Sequence, residues 1–230
     1  GRLFYKFFPA GKLRMLSQIG LTEESSILDV GCGSGTILYD LKELGFKHLL
    51  GVDPYITEDI EYKNGLKILK KYIHELDGKW DLIMFHHSFE HIPDPLETMQ
   101  SVSELLTEGG VCLIRIPTVS SYAWEHYREN WVQLDAPRHF FLHSVKSVSL
   151  LSDKAGLSLE MIVYDSNEFQ FWGSEQYMRD IPLYNPQSQS FGPSRSVFSD
   201  KEIAVFRQKA IELNQNNQGD ACAFYLKKKQ

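Results

Sequence analysis

No apolar run in the sequence approaches the roughly twenty residues that a helix needs to cross a bilayer, so a membrane span is not expected. Cysteine is scarce. Cys32, Cys112 and Cys222 are odd in number, widely spaced and without paired metal-ligand spacing, which fits reduced, buried thiols better than a disulfide framework and points to the cytoplasm. Positive charge is also short: 24 Lys and Arg face 30 Asp and Glu, for a formal net charge of -6 and a pI near 5.8. Without a basic field to hold a phosphate backbone, nucleic acid is not expected as the main partner and a small molecule is. The N-terminal residues lack a charged-then-apolar signal arrangement, and the Phe-rich Leu3 to Phe8 is too short for one. Gly1 in place of an initiator methionine suggests a tag or further segment upstream.

What is present is ordinary globular composition. With 43% hydrophobic and 13% aromatic residues, 230 residues can bury one sizeable core, so residues 1–230 are expected to form one domain, without internal repeats. Gly11 to Ile19 carries Leu13, Leu16 and Ile19 at helical spacing. Ser25 to Val30 reads as a short buried strand. After a glycine turn, Thr36 to Leu44 places Ile37, Leu38, Leu41 and Leu44 on one helical face before Gly45 stops it. His48 to Asp53 is a second strand ended by Pro54, completing a strand, helix, strand unit. Leu66 to Ile73 is ambiguous between helix and third strand, whereas Trp80 to Phe85 is a clear fourth. Pro95 to Leu106 is helical, Gly109 and Gly110 are expected to cap its exit, and Val111 to Ile116 is a fifth strand.

Beyond Pro117 the pattern loosens. Residues 118–144 are irregular and aromatic-rich and are expected to cover a substrate. Ser147 to Ala155 reads as a helix and Leu157 to Tyr164 as a sixth strand. Residues 169–218, polar and containing Pro182, Pro186 and Pro193, are expected to form a second covering stretch with one amphipathic helix near Lys201 to Leu213. Ala221 to Leu226 is the last strand, followed by Lys227 to Lys229 as a solvated tail. The alternation predicts an α/β, Rossmann-like, doubly wound and mainly parallel seven-stranded sheet, with helices on both faces and an antiparallel last strand. Ligands of such sheets bind at the carboxyl ends of the strands, where the motifs lie.

In Leu28-Asp29-Val30-Gly31-Cys32-Gly33-Ser34-Gly35, the missing side chains of Gly31, Gly33 and Gly35 let the backbone bend and approach a ligand. The dinucleotide spacing G-x-G-x-x-G needs glycine at position 36, where Thr36 stands, which disfavours a nicotinamide oxidoreductase. Asp29 would repel a pyrophosphate yet attract an ammonium. Asp53, about twenty residues past the first glycine, is placed to accept hydrogen bonds from ribose hydroxyls. A nucleoside joined to an amino acid fits both acids.

LDVGCGSG, GVDP, WDLIMFHHSFEHIPDP and LLTEGGVCLIRIPT, in this order over Ile27 to Pro117, resemble the motifs of class I S-adenosylmethionine-dependent methyltransferases. The resemblance implies that Asp29, Gly31, Cys32, Gly33 and Gly35 wrap the methionyl part of S-adenosylmethionine, and that Asp53 and Pro54 lie at its ribose. It also implies that His86 and His87 line the sulfonium region, with S-adenosylhomocysteine as product. The acid usual after the third strand has no clean match, leaving Tyr72, Ile73 and His74 as candidates near adenine.

Methyl transfer to oxygen needs an aligned acceptor and removal of its proton. Histidine suits that role. The segment Trp131 to Phe140 resembles the stretch after strand five in methyltransferases of the ubiquinone and sugar type. That resemblance makes His139 the first choice for general base and Trp131, Asp135 and Arg138 candidates to hold an acceptor; a local Asp135–Arg138 ion pair is the alternative. His87, Glu90 and His91 could gather a divalent ion, but a structural role in the loop before Pro93 is preferred, so no metal is expected. Tyr122, Trp124, Tyr127 and Trp131 could wall an apolar or sugar-face pocket or serve as packing. The expected activity is methyl transfer to a small molecule, at oxygen first, with nitrogen or carbon acceptors and a non-catalytic cofactor-binding protein as alternatives.

Overall fold

The computed structural model describes residues 14–192 and 196–229. They build one eight-stranded sheet from β1 (Ser26–Val30), β2 (His48–Val52), β3 (Ile60–Glu61), β4 (Lys67–Leu69), β5 (Trp80–His86), β6 (Leu106–Pro117), β7 (Leu157–Tyr164) and β8 (Ala221–Lys228), in the order β3-β4-β2-β1-β5-β6-β8-β7. The helices are α1 (Thr36–Glu43), α2 (Pro95–Leu105), α3 (Tyr122–Tyr127), α4 (Val145–Lys154), α5 (Phe169–Met178) and α6 (Asp200–Gln215). β1 pairs in parallel with β2 and β5, β2 with β4, and β5 with β6. Strand order therefore reverses at β1, which puts the turn after β1 at the crevice where such sheets bind ligands.

Several expectations need correction. The sheet has eight strands because Ile60–Glu61 pairs antiparallel with β4, a match too short to leave a hydrophobic pattern. The ambiguous Leu66 to Ile73 resolves into β4 and a 3-10 turn at Ile73–Glu75. Of the first expected helix, Arg14–Gln18 is a 3-10 turn, and Gly11 to Leu13 lie outside the described residues, as do Leu3 to Phe8 and Pro193. Gly109 and Gly110 do not cap α2: Leu106 leaves the helix directly into β6, and both glycines lie within that strand. The lysine run is no free tail. Lys227 and Lys228 complete β8, Lys228 Nζ lies 3.4 Å from Glu108, and Lys229 pairs with Asp153. β8 runs antiparallel to β7, since the Lys229 amide donates to the Gly156 carbonyl at one end and the Asp165 amide to the Ala221 carbonyl at the other.

By compactness the chain divides into two units. The first takes residues up to 115, 149–161 and from 223 onward, with Ile27, Leu28, Leu82, Ile83, Phe85 and Cys112 fully buried in its core. The second takes 116–148 and 162–222 and so includes both stretches expected to cover a substrate. Its core is Ala123, Tyr127, Trp131, Phe171, Ala210 and Leu213. α5 in this unit lacks a hydrophobic stripe because polar side chains are buried within it. Ser174 Oγ donates to the Gln170 carbonyl at 2.7 Å and accepts the Val132 amide at 3.0 Å, and Gln176 Nε2 donates to Ser188 Oγ at 3.0 Å. No described helix is long and apolar enough to cross a membrane.

Candidate active site

In the first unit, β1 ends at Val30 and the chain turns through Gly31, Gly33 and Gly35, all at positive φ (71°, 56° and 76°). The Gly31 amide donates to the Val52 carbonyl at 2.8 Å, tying the turn to β2, and the Gly35 amide closes it on the Cys32 carbonyl at 2.9 Å. The glycines serve different ends. A Cβ on Gly31 would lie 2.4 Å from Ser88 Cβ, so that glycine makes room for a neighbouring element. A Cβ on Gly33 would meet nothing within 4 Å, so the backbone there faces open space that a ligand can approach. Ser88 escaped the sequence reading. Buried just past β5, its hydroxyl donates to the Val30 carbonyl at 2.6 Å and pins the end of β1; no periodicity marks a serine for such a task.

Asp29 is 3% exposed, and its Oδ1 has no hydrogen-bond partner among the described residues. A buried acceptor without a donor is costly and fits a cationic ligand group that supplies one. Burial, with the Asp53 carboxylate beside it, pushes the Asp29 carboxyl up to about 7. Asp53 follows β2 and is held by backbone donors: the Gly33 amide reaches Oδ2 at 2.8 Å and the Tyr55 amide reaches Oδ1 at 2.9 Å. Pro54 directly after it ends the strand. Cys32 is half-buried, and burial followed by the two carboxylates raises its thiol well above the ordinary range, so it stays protonated.

His86 ends β5 opposite Arg115, and the two rings of His86 and His87 meet edge-on at 5.1 Å. His87 sits at φ 53°, its amide donates to the Arg115 carbonyl at 2.9 Å, its Nε2 contacts the Arg115 guanidinium, and its Nδ1 lies 3.5 Å from Oε1 of the buried Glu90. Of the three candidates near adenine, Ile73 is buried, whereas Tyr72 stacks on His74 at 5.3 Å and is exposed.

The acceptor-side candidates lie in the second unit. Trp131 does not stand where a substrate wall was expected. It is 1% exposed, packs edge-on against Trp124 at 5.9 Å and donates its indole N–H to Asp220 at 2.9 Å, so it is a core residue. Tyr127 is buried in the same core. Asp135, in the left-handed region at φ 41°, accepts from Arg138 Nε at 3.1 Å, and its Oδ2 lies 3.8 Å from Nε2 of the nearly buried His139. The Asp135–Arg138 ion pair is thus formed, with His139 beside the same carboxylate. Tyr177, also missed by the sequence reading, belongs near this group: burial first and then the Asp135 charge raise its phenol.

A family model described as a methyltransferase domain matches residues 4–161. The chain is 29% identical over 106 residues to a tRNA U34 carboxymethyltransferase of Nautilia profundicola, covering 40% of this chain and 34% of that protein. It therefore spans about a third of the length of this curated relative. It is also 29% identical over 171 residues to a ubiquinone biosynthesis O-methyltransferase of Haemophilus ducreyi, covering 64% of this chain and 72% of that one. Among solved structures, a SAM-dependent methyltransferase from Archaeoglobus fulgidus superposes with a TM-score of 0.56 at 18% identity, over 99% of this chain and 98% of the other, a likeness of fold.

Proposed function

Because the chain belongs to the methyltransferase-domain family, within the class I S-adenosylmethionine-dependent methyltransferases, we propose that it transfers a methyl group to an oxygen of a small-molecule acceptor. A sugar, a glycan precursor or a quinone-like phenol is the acceptor class in view. The observation that carries the reading is Asp29, a buried carboxylate with an oxygen unpartnered among the described residues, beside an open glycine turn and a backbone-held Asp53. Bound S-adenosylmethionine supplies a sulfonium-activated methyl group. Asp29, Gly31, Cys32, Gly33 and Gly35 would hold its methionyl part, Asp53 and Pro54 its ribose, and His86 and His87 would flank the sulfonium. His139 is the proposed base, which would take the acceptor hydroxyl's proton; methyl transfer to that oxygen would leave S-adenosylhomocysteine. Asp135 orients His139 and, with Arg138, holds the acceptor; Trp131 is left out of this set.

Calorimetry with S-adenosylhomocysteine tests the cofactor half, and the absence of binding would sink it. The acceptor half is tested by incubating the chain with labelled S-adenosylmethionine and either a metabolite extract or total tRNA. The acidic net charge supports the small molecule, and oxygen has the support of the ubiquinone-pathway relative. The tRNA-modifying relative supports a second reading, in which label enters tRNA alone. Label in neither pool, with binding intact, favours a non-catalytic cofactor-binding protein.

A further inference from the structure

We propose that Tyr62, carried by the β3–β4 hairpin, is a positioning residue for the cofactor turn. The proposal rests on reading that turn as the S-adenosylmethionine site. The Tyr62 hydroxyl donates to the Ser34 carbonyl at 2.7 Å. The same peptide group presents the Gly35 amide to the Cys32 carbonyl at 2.9 Å, so both polar atoms of one peptide plane inside the turn are engaged. That plane joins Ser34 to Gly35, and the Gly35 pivot, at φ 76°, has no Cβ to bias its backbone. The glycine on its C-terminal side eases rotation of the peptide, and fixing it costs conformational entropy that a ligand would otherwise have to offset. A hydrogen bond from outside the turn meets that cost before the ligand arrives, which is preorganisation.

The hairpin is built to hold the hydroxyl there. Within it the Tyr62 amide donates to the Leu66 carbonyl and the Gly65 amide to the Tyr62 carbonyl, both at 2.9 Å. Asn64 ties it to α1, donating from Nδ2 to Glu43 Oε1 at 2.7 Å, and the Tyr39 ring of α1 meets the Tyr62 ring edge-on at 5.2 Å. Ile68 of β4 fills the space where a Cβ on Gly35 would stand. β3 contributes little to the core, since Ile60 is only half-buried and Glu61 is exposed. Its physical use is to fix Tyr62 against the turn, which Ser88 grips independently through Val30.

Tyr62→Phe removes only the hydroxyl of a half-buried ring. The unliganded parent and variant are compared by amide exchange over 33–39, by thermal unfolding and by calorimetric titration with S-adenosylhomocysteine. The expected result is a thermal midpoint lowered by no more than about 2–4 °C, faster exchange in the turn of the variant, and affinity weaker by about 3- to 10-fold, the usual effect of one neutral hydrogen bond. Asn64→Ala, which loosens the hairpin but keeps the hydroxyl, is expected to weaken affinity less. Unchanged exchange, or affinity within about twofold of the parent, overturns the role assigned to Tyr62 and leaves the cofactor site standing. A parent that binds no S-adenosylhomocysteine overturns both.

Discussion

Gly31 and Gly33 adopt similar backbone angles and yet should respond differently to the same substitution. Gly31→Ala combines a positive φ with a Cβ 2.4 Å from Ser88 Cβ, and is expected to destabilise the fold by about 2–4 kcal/mol. Gly33→Ala meets open space and should cost about 1 kcal/mol while obstructing the ligand. Urea midpoints and calorimetry separate the two effects. A second expectation concerns Asp29. Its folded value of about 7 lies above its ordinary 3.8, so between these values the folded chain keeps a proton that the unfolded chain has released. The contribution of Asp29 to the stability of the unliganded protein therefore falls as pH rises from about 4 to about 7. Asp29→Asn should flatten that fall, be more stable than the parent at pH ~8, and bind S-adenosylhomocysteine about tenfold more weakly for want of a charge. Denaturation series across this pH window check the first part; equal pH slopes in parent and variant would refute it.

At the scale of elements, α6 starts with a capping box: Ser199 Oγ accepts the Glu202 amide at 3.3 Å and Glu202 Oε2 accepts the Ser199 amide at 2.8 Å. Ser199→Ala should lower stability by about 1 kcal/mol and speed amide exchange in the first turn of α6. That helix was legible because serine, glutamate and an apolar stripe agree. β1, α1, β2, β5 and α2 were legible from their apolar patterning. α5 was not, because its buried residues include Gln170, Ser174 and Gln176 beside Phe171, and Ser174 and Gln176 bond to Val132 and Ser188. β3 was not either, since two residues carry no period. Asp29 and Asp53 stood out through their spacing from the glycines, whereas Ser88 and Tyr62 act only through neighbours remote in sequence.

At the scale of the whole molecule, β8 is a late strand inserted antiparallel to β7 at the far end of the sheet from β3. It lies between β6 and β7 and buries Cys222, Phe224 and Leu226 completely. Ending the chain at Asp220 would strip those side chains from the core and leave both neighbouring strands with unpaired edges. The truncated chain is expected to lose its cooperative thermal transition in near-ultraviolet circular dichroism; a retained transition would show that the sheet stands without β8.

The amino-acid sequence by itself determined the alternation of strands and helices, the position of the glycine turn and the two carboxylates around it. Those features are local: a hydrophobic period, a turn that needs glycine, an acid at a fixed distance along the chain. Tertiary structure decided what depends on distant segments meeting. It put Trp131 in a core rather than at a surface, set His139 and Arg138 against one carboxylate, seated β8 between strands that precede it by many residues, and left one oxygen of Asp29 without a donor among the described residues. Burial and hydrogen-bond satisfaction are properties of the neighbours a side chain acquires on folding, and no run of adjacent residues carries them.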